Sequence, residues 1–153
     1  WFKKIPEQLY FVFLNSEGDL YEDLDQTKPL FSQWLSFLPF VESGAHISFN
    51  DLQRKETVNI KWSLLIEKAY ADILKPPVNE SVTHLPEQLC LCTIINARER
   101  GDLTYELFTP ILKYLQNSDY EVCGDLIGKL LVRVHEGNGY CRYFEIQIPI
   151  KNK

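Results

Sequence analysis

The residues best placed to do chemistry lie near the C-terminus, in the alternating segment from Tyr143 to Ile150. Neighbouring side chains of a β-strand point to opposite faces of the sheet, so the apolar set that begins at Phe144 would face a core. Tyr143, Glu145 and Gln147 would face the other way. This row of a phenol, a carboxylate and an amide suits a polar groove that recognises a donor or a cation. Glu145 could act as a general base if it is buried. An ordinary solvent-exposed row is the alternative.

Aromatic residues are the second group that could form a binding site, since the chain has 3 Trp, 8 Tyr and 9 Phe. Aromatic rings bury a large area and, beside a carboxylate, favour cationic or amphipathic ligands. We expect rings of the two halves of the chain to meet across a groove, with Trp34 or Trp62 approaching Tyr105 and Tyr143. A place in the ordinary core is the alternative for each ring, above all for Trp62. The predicted ligand-binding set is Glu145, Tyr143, Gln147, Tyr105, Phe108, Trp34, Trp62 and Tyr21.

Other chemistries find little support in the sequence. It contains no Gly-x-Ser-x-Gly motif, no phosphate-binding loop and no dinucleotide motif. The histidines are far apart and no Cys-x-x-Cys pair occurs, so we predict neither a metal nor a cofactor. The 4 cysteines fit small buried residues in a reducing cytoplasm. The net charge of −5 and the scattered basic residues argue against DNA binding by this segment.

The elements that must position these residues recur within the chain. The motif Pro-Glu-Gln-Leu at 6–9 appears again at 86–89. An apolar stretch, a Gly-Asp-Leu turn and a helix-like run with a proline near its start follow each copy. We predict two copies of one module, at about 5–72 and 85–150, joined by a linker at about 73–84. Two such modules meet at a pseudo-two-fold seam, where a small-molecule site can form between them.

The predicted fold is α+β, with two tandem strand-helix-strand-strand modules whose antiparallel sheets are related by a pseudo-two-fold axis. An amphipathic pattern predicts a helix from Thr27, as N-cap, to Leu38, with Pro39 ending it. Gly137-Asn138-Gly139 predicts a hairpin turn. The predicted strands are 8–14, 46–49, 58–66, 88–95, 120–122, 129–135 and 140–150, with a turn at 53–56 and a second helix from 104 or 109 to 116.

The length and the ends of the chain suggest one domain cut from a longer protein. Residues 1–153 fit a single domain in size. No apolar run reaches the roughly 20 residues that a membrane helix needs, so we expect no membrane partner and a cytoplasmic location. The chain starts at Trp1 and contains no methionine, and we therefore expect a further segment before Trp1.

The second half carries motifs of a known family. The segment Asp119-Tyr120-Glu121-Val122-Cys123-Gly124 precedes a strand, and the chain closes with Tyr143-Phe144-Glu145-Ile146-Gln147-Ile148-Pro149-Ile150. These segments, with Gly101 to Tyr105 at the second helix, resemble the gyrase-inhibitor-like effector-binding domain. That domain is the C-terminal sensor of MerR-type, multidrug-responsive bacterial transcription regulators. The resemblance covers the whole chain in layout and the second half in motif.

The resemblance implies a lipophilic or cationic small-molecule effector, with DNA bound only through a part that precedes this segment and with a homodimer as one form of the full-length protein. By the same resemblance, Glu145 corresponds to the pocket carboxylate and Tyr105 to the tyrosine at the helix opening. One departure leaves the charge of the ligand open: Gly128 and Lys129 stand where members often carry another acid.

Three functions remain open at this point. The first is a sensing domain that is not an enzyme. The second is a stand-alone protein that binds a small molecule or inhibits a partner. The third is a hydrolase of the same fold, in which Glu145 activates water beside Trp62. If the carboxylate binds ligands, Glu145→Gln is expected to weaken cationic ligands more than neutral ones.

Overall fold

The computed structural model describes residues 1–15, 20–54, 58–97, 103–136 and 139–153. No helix within these ranges is long and apolar enough to cross a membrane. In chain order the elements are β1 (Phe2–Ile5), β2 (Gln8–Asn15), α1 (Leu20–Leu35), β3 (Val41–Ile47), α2 (Phe49–Arg54), β4 (Ile60–Glu67), α3 (Lys68–Leu74), β5 (Val82–Leu85), β6 (Gln88–Asn96), α4 (Tyr105–Gln116), β7 (Tyr120–Val122), β8 (Leu126–Glu136) and β9 (Gly139–Asn152).

The described strands form one continuous antiparallel sheet. Its order is β1-β6-β9-β8-β3-β4-β2-β5, and the short β7 pairs alongside β9. The two halves of the chain meet where β3 pairs with β8, with Gly44 opposite Lys129 and His46 opposite Ile127. The predicted α+β class with antiparallel pairing is confirmed. The halves share one sheet, however, because two strands that each end a half-sheet pair with each other.

The short strands that precede the two Pro-Glu-Gln-Leu motifs are exchanged between the halves. β1 pairs with β6 of the second half, with Phe2 opposite Leu91. β5 lies in the segment predicted to be a linker and pairs with β2 of the first half, with Val82 opposite Phe11. Adding 80 to the residue numbers of β1 and subtracting 80 from those of β6 gives the pairing of β5 with β2. The two Pro-Glu-Gln-Leu motifs are also 80 residues apart. Each half thus covers the outer edge of the other half's sheet with a short strand, which limits unwanted edge pairing.

The helices pack on one face of the sheet, over two apolar clusters. Phe144 of β9 belongs to a cluster with Phe108 of α4. Phe11 of β2 belongs to a second cluster with Trp34 of α1. Helices α2 and α3 each add one buried side chain to these clusters. The sequence alternation of the last strand is confirmed, because the apolar set packs in the first cluster. We call this side the helix face, and its β9 residues are Phe144, Ile146, Ile148 and Ile150.

On the opposite side, side chains of neighbouring strands cover one another. A Cβ atom at Gly44 would lie 2.5 Å from Leu65 Cδ1, so the absence of a side chain there lets Leu65 lie flat across β3. The rings of Tyr10 and His46 stack 5.5 Å apart across β4. Several side chains on this side are buried although the helix clusters lie on the other. We call it the strand face, defined by Lys3, Cys90, Cys92, Tyr143, Glu145, Gln147, Lys129, Gly44 and Leu65.

Helix α1 differs from its prediction at both ends. It begins at Leu20 instead of Thr27 and ends at Leu35 instead of Leu38. The misleading signal is Pro29, which lies inside the helix at an exposed position. A proline removes one backbone hydrogen bond there, but at an exposed site its ring does not disturb the packed side.

The segment that follows β3 also differs from its prediction. β3 covers 41–47 instead of 46–49, and helix α2 includes positions 53 and 54 of the turn predicted at 53–56. Positions 55 and 56 lie outside the described residues. The Ser48 hydroxyl accepts a hydrogen bond from the Asp51 backbone N–H at 3.4 Å, which is the pattern of a helix N-cap. Ser48 with Asp51 three positions later is the sequence signal of this cap. Of the turns predicted at 18–20, 101–103 and 137–139, the first two positions of each lie outside the described residues, while Leu20 begins α1 and Gly139 begins β9.

Candidate functional site

The sheet separates the predicted site residues into two groups. The three polar residues of β9 lie on the strand face, whereas the predicted aromatic residues of α1, β4 and α4 pack in the clusters of the helix face. Because alternate residues of a strand point in opposite directions, the structure does not bring Tyr143 to the tryptophans. The strand-face group is Tyr143, Glu145 and Gln147, the helix-face group is Trp34, Trp62, Tyr105 and Phe108, and the side chain of Tyr21 lies outside the described residues.

Glu145 is buried and already has partners within the chain. Its relative exposure is 9%. Gln147 Nε2 donates a hydrogen bond to Glu145 Oε1 at 2.9 Å, and Lys3 Nζ lies 3.4 Å from the same oxygen. Lys3 belongs to the exchanged strand β1, so the ion pair joins the start of the chain to its last strand. The charge of the carboxylate is thus balanced internally. Trp62 lies on the other face, so the hydrolytic arrangement that pairs it with Glu145 is not formed.

Two buried thiols next to Glu145 are poor nucleophiles at neutral pH. Burial raises the pKa of Cys90 to about 12, with smaller contributions from Cys92, Cys123 and Glu145. Burial also raises the pKa of Cys92, and Glu145 adds to the effect. The thiolate is the reactive and metal-binding form, so protonated thiols here act as small core residues. No group of His, Cys, Asp and Glu in the described residues is arranged to hold a metal.

Trp34 and Phe108 are core residues. Both are fully buried. The Trp34 indole N–H donates to the Pro77 carbonyl oxygen at 2.9 Å, and its ring lies 5.5 Å from that of Phe11. Trp34 therefore fixes the segment between the halves against α1, and neither ring offers a surface to a ligand in this structure.

Tyr105 is half-buried and lines a cavity of about 480 Å³ between α2, α4 and β7. The charged groups of this cavity already have partners. Lys153 Nζ donates to the carbonyl oxygens of Ser118 and Gln116. Glu121 forms an ion pair with Lys151 at 3.1 Å. This cavity therefore offers few polar groups to a ligand.

A second cavity, of about 380 Å³, opens on the helix face where the two halves meet. Its volume lies within the range of about 300–1,000 Å³ that is usual for small-molecule sites. The half-buried ring of Trp62 lies 6.1 Å from that of Phe144, and the two form an aromatic floor with one ring from each half. We call this cavity the seam cleft, lined by Phe13, Ser43, Gly44, Trp62, Ser63, Leu130, Arg133, Arg142 and Phe144.

A bulge in β8 shapes the second-half side of the seam cleft. The register of β8 with β9 shifts between Leu130 and Val132, which makes Leu131 an extra residue. Leu130 and Arg133 are three positions apart and would face opposite sides of a regular strand. Because of the extra residue, both lie on the helix face, where Arg133 is directly opposite Arg142. Bulges often redirect side chains next to functional sites.

A bulge in β2 shapes the first-half side in the same way. The register of β2 with β4 shifts between Val12 and Leu14, so that Phe13 is the extra residue. The Phe13 ring lies 4.6 Å from that of Phe31 in α1 and joins the first-half cluster to the seam cleft. The register shifts recorded in the described sheet thus both lie at the seam cleft.

The two arginines of the seam cleft lack acidic partners among the described residues. The ion pairs of the described side chains include neither Arg133 nor Arg142. The Nε atom of Arg142 is buried and makes no hydrogen bond within the described part of the chain. Like charges directly opposite each other destabilise a sheet. The seam cleft therefore concentrates positive charge beside an aromatic floor.

The sequence analysis missed Arg133, Arg142 and Phe13 as site residues. Two signals could have found the arginines. Alternation with Phe144 places Arg142 on the helix face, and the predicted hairpin turn at 137–138 pairs position 133 with position 142. The bulge that brings Phe13 to the seam cleft and the bulge that puts Leu130 on the same face as Arg133 have no comparable signal in a single sequence.

Comparison with known proteins gives a likeness in fold. No family model matches the chain, and no curated protein matches its sequence. Among solved structures, the chain is similar to the crystal structure of the C-terminal domain of EcmrR, a MerR-family regulator. The TM-score is 0.59 and the identity is 10%, over 100% of this chain and 97% of the other. At this identity the likeness shows a shared α+β fold over the whole chain.

Proposed function

We propose that this chain is the small-molecule-sensing domain of a bacterial transcription regulator and that the seam cleft receives the effector. One observation carries the proposal: the seam cleft is built by both halves at the β3–β8 junction, with an aromatic floor and unpaired polar groups. The likeness in fold to a regulator domain and the motifs of the chain's tail support it. In this proposal DNA recognition belongs to another part of a cytoplasmic regulator, which acts as a homodimer.

The position of the seam cleft suggests how an effector would act. A compound that touches Trp62 and Phe144 contacts both halves at once. It would favour the arrangement of the halves to which it binds better, and its effect is limited by that difference in affinity. The exchanged strand β1 pairs with β6, which in turn pairs with β9. A shift of the second half would therefore be passed to the start of the chain.

Tryptophan fluorescence tests whether the seam cleft binds small molecules. The chain has three tryptophans, of which Trp34 is buried and Trp1 is exposed, and Trp62 alone of them lines the seam cleft. Aromatic compounds and compounds that co-purify with the protein from its host should change the emission, and the change should disappear in Trp62→Phe. The phenylalanine keeps an aromatic floor, so binding measured by calorimetry should persist in this variant.

Two results would contradict the proposal. The first is that the 153-residue chain binds none of the tested compounds and that native mass spectrometry detects no bound compound. The second is binding whose signal is unchanged in Trp62→Phe, which would place the ligand elsewhere. DNA binding by the full-length gene product then separates a regulator from a stand-alone binding protein.

A further inference from the structure

We infer that the seam cleft selects organic anions: compounds with an aromatic or otherwise apolar body and one carboxylate, sulfonate or phosphate group. This inference rests on the proposed function and names the class of effector. It differs from the cationic effector that the sequence resemblance implies, and the difference comes from the charges that line the seam cleft.

The charged groups at the seam cleft are of one sign. Arg133 and Arg142 line it, and no Asp or Glu is among the described residues that do so. Their backbones are directly opposite on β8 and β9, so their side chains start about 5 Å apart on the same face. The guanidinium groups of two side chains that start this close can converge on one carboxylate, sulfonate or phosphate and bind it from two sides.

The arginines also have unused capacity. Arg142 Nε is a buried donor without a partner in the described residues, and a buried donor left unpaired is unfavourable. The mutual repulsion of the two side chains adds to this cost. An anionic group between them would cancel the repulsion, and a rotation of the Arg142 side chain would let it accept a hydrogen bond from the Nε–H. A cation at the same place would increase the repulsion.

The apolar part of the ligand has its own surface. Trp62 and Phe144 form the floor, and Phe13 and Leu130 lie beside it. These apolar groups can contact the aromatic or aliphatic part of a ligand whatever charge the ligand carries. The arginines therefore supply the selection by charge, and the rings supply affinity that all such compounds share.

The carboxylate that would select a cation is not at this site. Glu145 lies on the strand face and is paired with Lys3 and Gln147. Lys129, which stands where members of the resembled family often carry an acid, is paired with Glu42 at 2.6 Å. Neither group contributes negative charge to the seam cleft.

Three compounds that share one ring system test the inference: 1-naphthalenesulfonate, 1-naphthalenemethanol and 1-naphthylmethylammonium. We expect the 153-residue chain to bind the sulfonate most tightly and the ammonium compound least tightly, as measured by calorimetry at low and at physiological salt. Arg142→Gln and Arg133→Gln should each weaken the sulfonate on the order of tenfold to hundredfold and leave the alcohol nearly unchanged. Arg142→Lys, which keeps the charge, should retain part of the preference.

Arg54→Gln is the matched control, because Arg54 is an exposed residue of α2 that does not line the seam cleft and its loss changes the net charge equally. It should leave all three affinities unchanged. If the chain binds the alcohol and the ammonium compound at least as tightly as the sulfonate, the inference is wrong and the proposed function stands. Equal losses for all three compounds in the arginine variants would mean that the side chains only cover the floor, which also overturns the inference. If none of the three compounds nor any host compound binds, the proposed function itself fails.

Discussion

Glu145 and Arg142 lie three positions apart on one strand, point to opposite faces of the sheet and differ in how their charges are balanced. Glu145 is buried and its carboxylate has two partners, one of them a lysine from the other end of the chain. Arg142 lies in a cleft, faces a second arginine and keeps a buried donor without a partner in the described residues. The sequence gives more prominence to the first, because a carboxylate in an alternating strand is a familiar binding group.

The difference separates a charge that holds the fold from a charge that is available to a ligand. The two partners of the buried Glu145 carboxylate tie β9 to β1, and removing one of them leaves the buried charge with fewer partners. An unpaired charge at the wall of a cavity gains most from a partner that comes from outside. The binding candidate on β9 is therefore Arg142, on the face opposite to Glu145.

The largest expected change in stability distinguishes a core residue from a residue of the seam cleft. Phe108→Ala should reduce the free energy of unfolding by about 3–5 kcal/mol, because Phe108 of α4 is fully buried in the cluster that packs on the sheet. Trp62→Ala should cost less stability, since its ring is half-buried, yet it should abolish the binding of naphthalene compounds. Urea unfolding and calorimetry measure the two quantities. A Phe108→Ala protein that keeps its stability but loses its ligand would place Phe108 in the binding site, as the sequence analysis suggested.

The sequence predicted the class of fold because period-two and helical patterns depend on neighbours in the chain. The apolar alternation of β9 and the amphipathic second helix, α4, follow directly from such patterns. The repeat of Pro-Glu-Gln-Leu also has a structural counterpart, since β1 and β5 precede the two copies and pair in equivalent registers. The pairing of each with the opposite half has no local signal, and the sequence therefore predicts a linker where β5 lies.

The site was predicted less well, because it depends on which face each element covers. The alternation along β9 places Glu145 and Phe144 on opposite faces of the sheet. It does not predict which of these two faces the rings of α1 and α4 cover. The prediction therefore joined Tyr143 with tryptophans that lie on the other side of the sheet. The extra residue at Leu131, which puts Leu130 and Arg133 on one face, becomes visible only once the register with β9 is known.

The seam offers a second test, with one glycine for each face. A Cβ atom at Gly44 would meet Leu65 Cδ1 at 2.5 Å and the Gly128 carbonyl oxygen at 3.1 Å. A Cβ atom at Gly128 would meet Ile146 Cδ1 at 3.2 Å, and this methyl group can move. Gly44→Ala should therefore cost about 1–3 kcal/mol of stability, as overpacking of a core does, and Gly128→Ala should cost less. Urea unfolding of both variants measures the difference. Equal costs would mean that the strand face is packed no more tightly than the helix face.

The ion pair between Lys3 and Glu145 can be compared with the pair that Lys4, the next residue of β1, forms with Glu87. Lys3→Gln leaves the buried carboxylate with a hydrogen bond from Gln147 alone, which should cost about 1–3 kcal/mol. The lower end is expected, because the Lys3 side chain is 44% exposed and solvent screens the pair. Lys4→Gln breaks an exposed pair with Glu87 and should cost no more than about 1 kcal/mol. Thermal unfolding at matched pH gives both values, and a larger loss for Lys4→Gln would refute the structural role of the buried pair.

Glu145→Gln links this pair to the question of the ligand. The glutamine keeps the shape of the side chain and an acceptor for Gln147. If Glu145 belongs to the fold alone, the variant should lose some stability and bind all three naphthalene compounds as the unchanged protein does. A selective loss of the ammonium compound would instead favour the carboxylate as the binding group.

The smallest effect should come from the arginine pair in the absence of ligand, and its sign is the informative part. Removing one of two like charges that face each other across β8 and β9 relieves repulsion, which typically amounts to about 0.2–1 kcal/mol. Arg133→Gln should therefore raise the melting temperature of the free protein slightly at low salt, and the gain should shrink at high salt, where the repulsion is screened. With 1-naphthalenesulfonate present, the order should reverse, because only the unchanged protein gains the full binding energy. A free protein that becomes less stable in Arg133→Gln would show that the arginine packs as part of the fold, and the contrast between the two charges of β9 would then disappear.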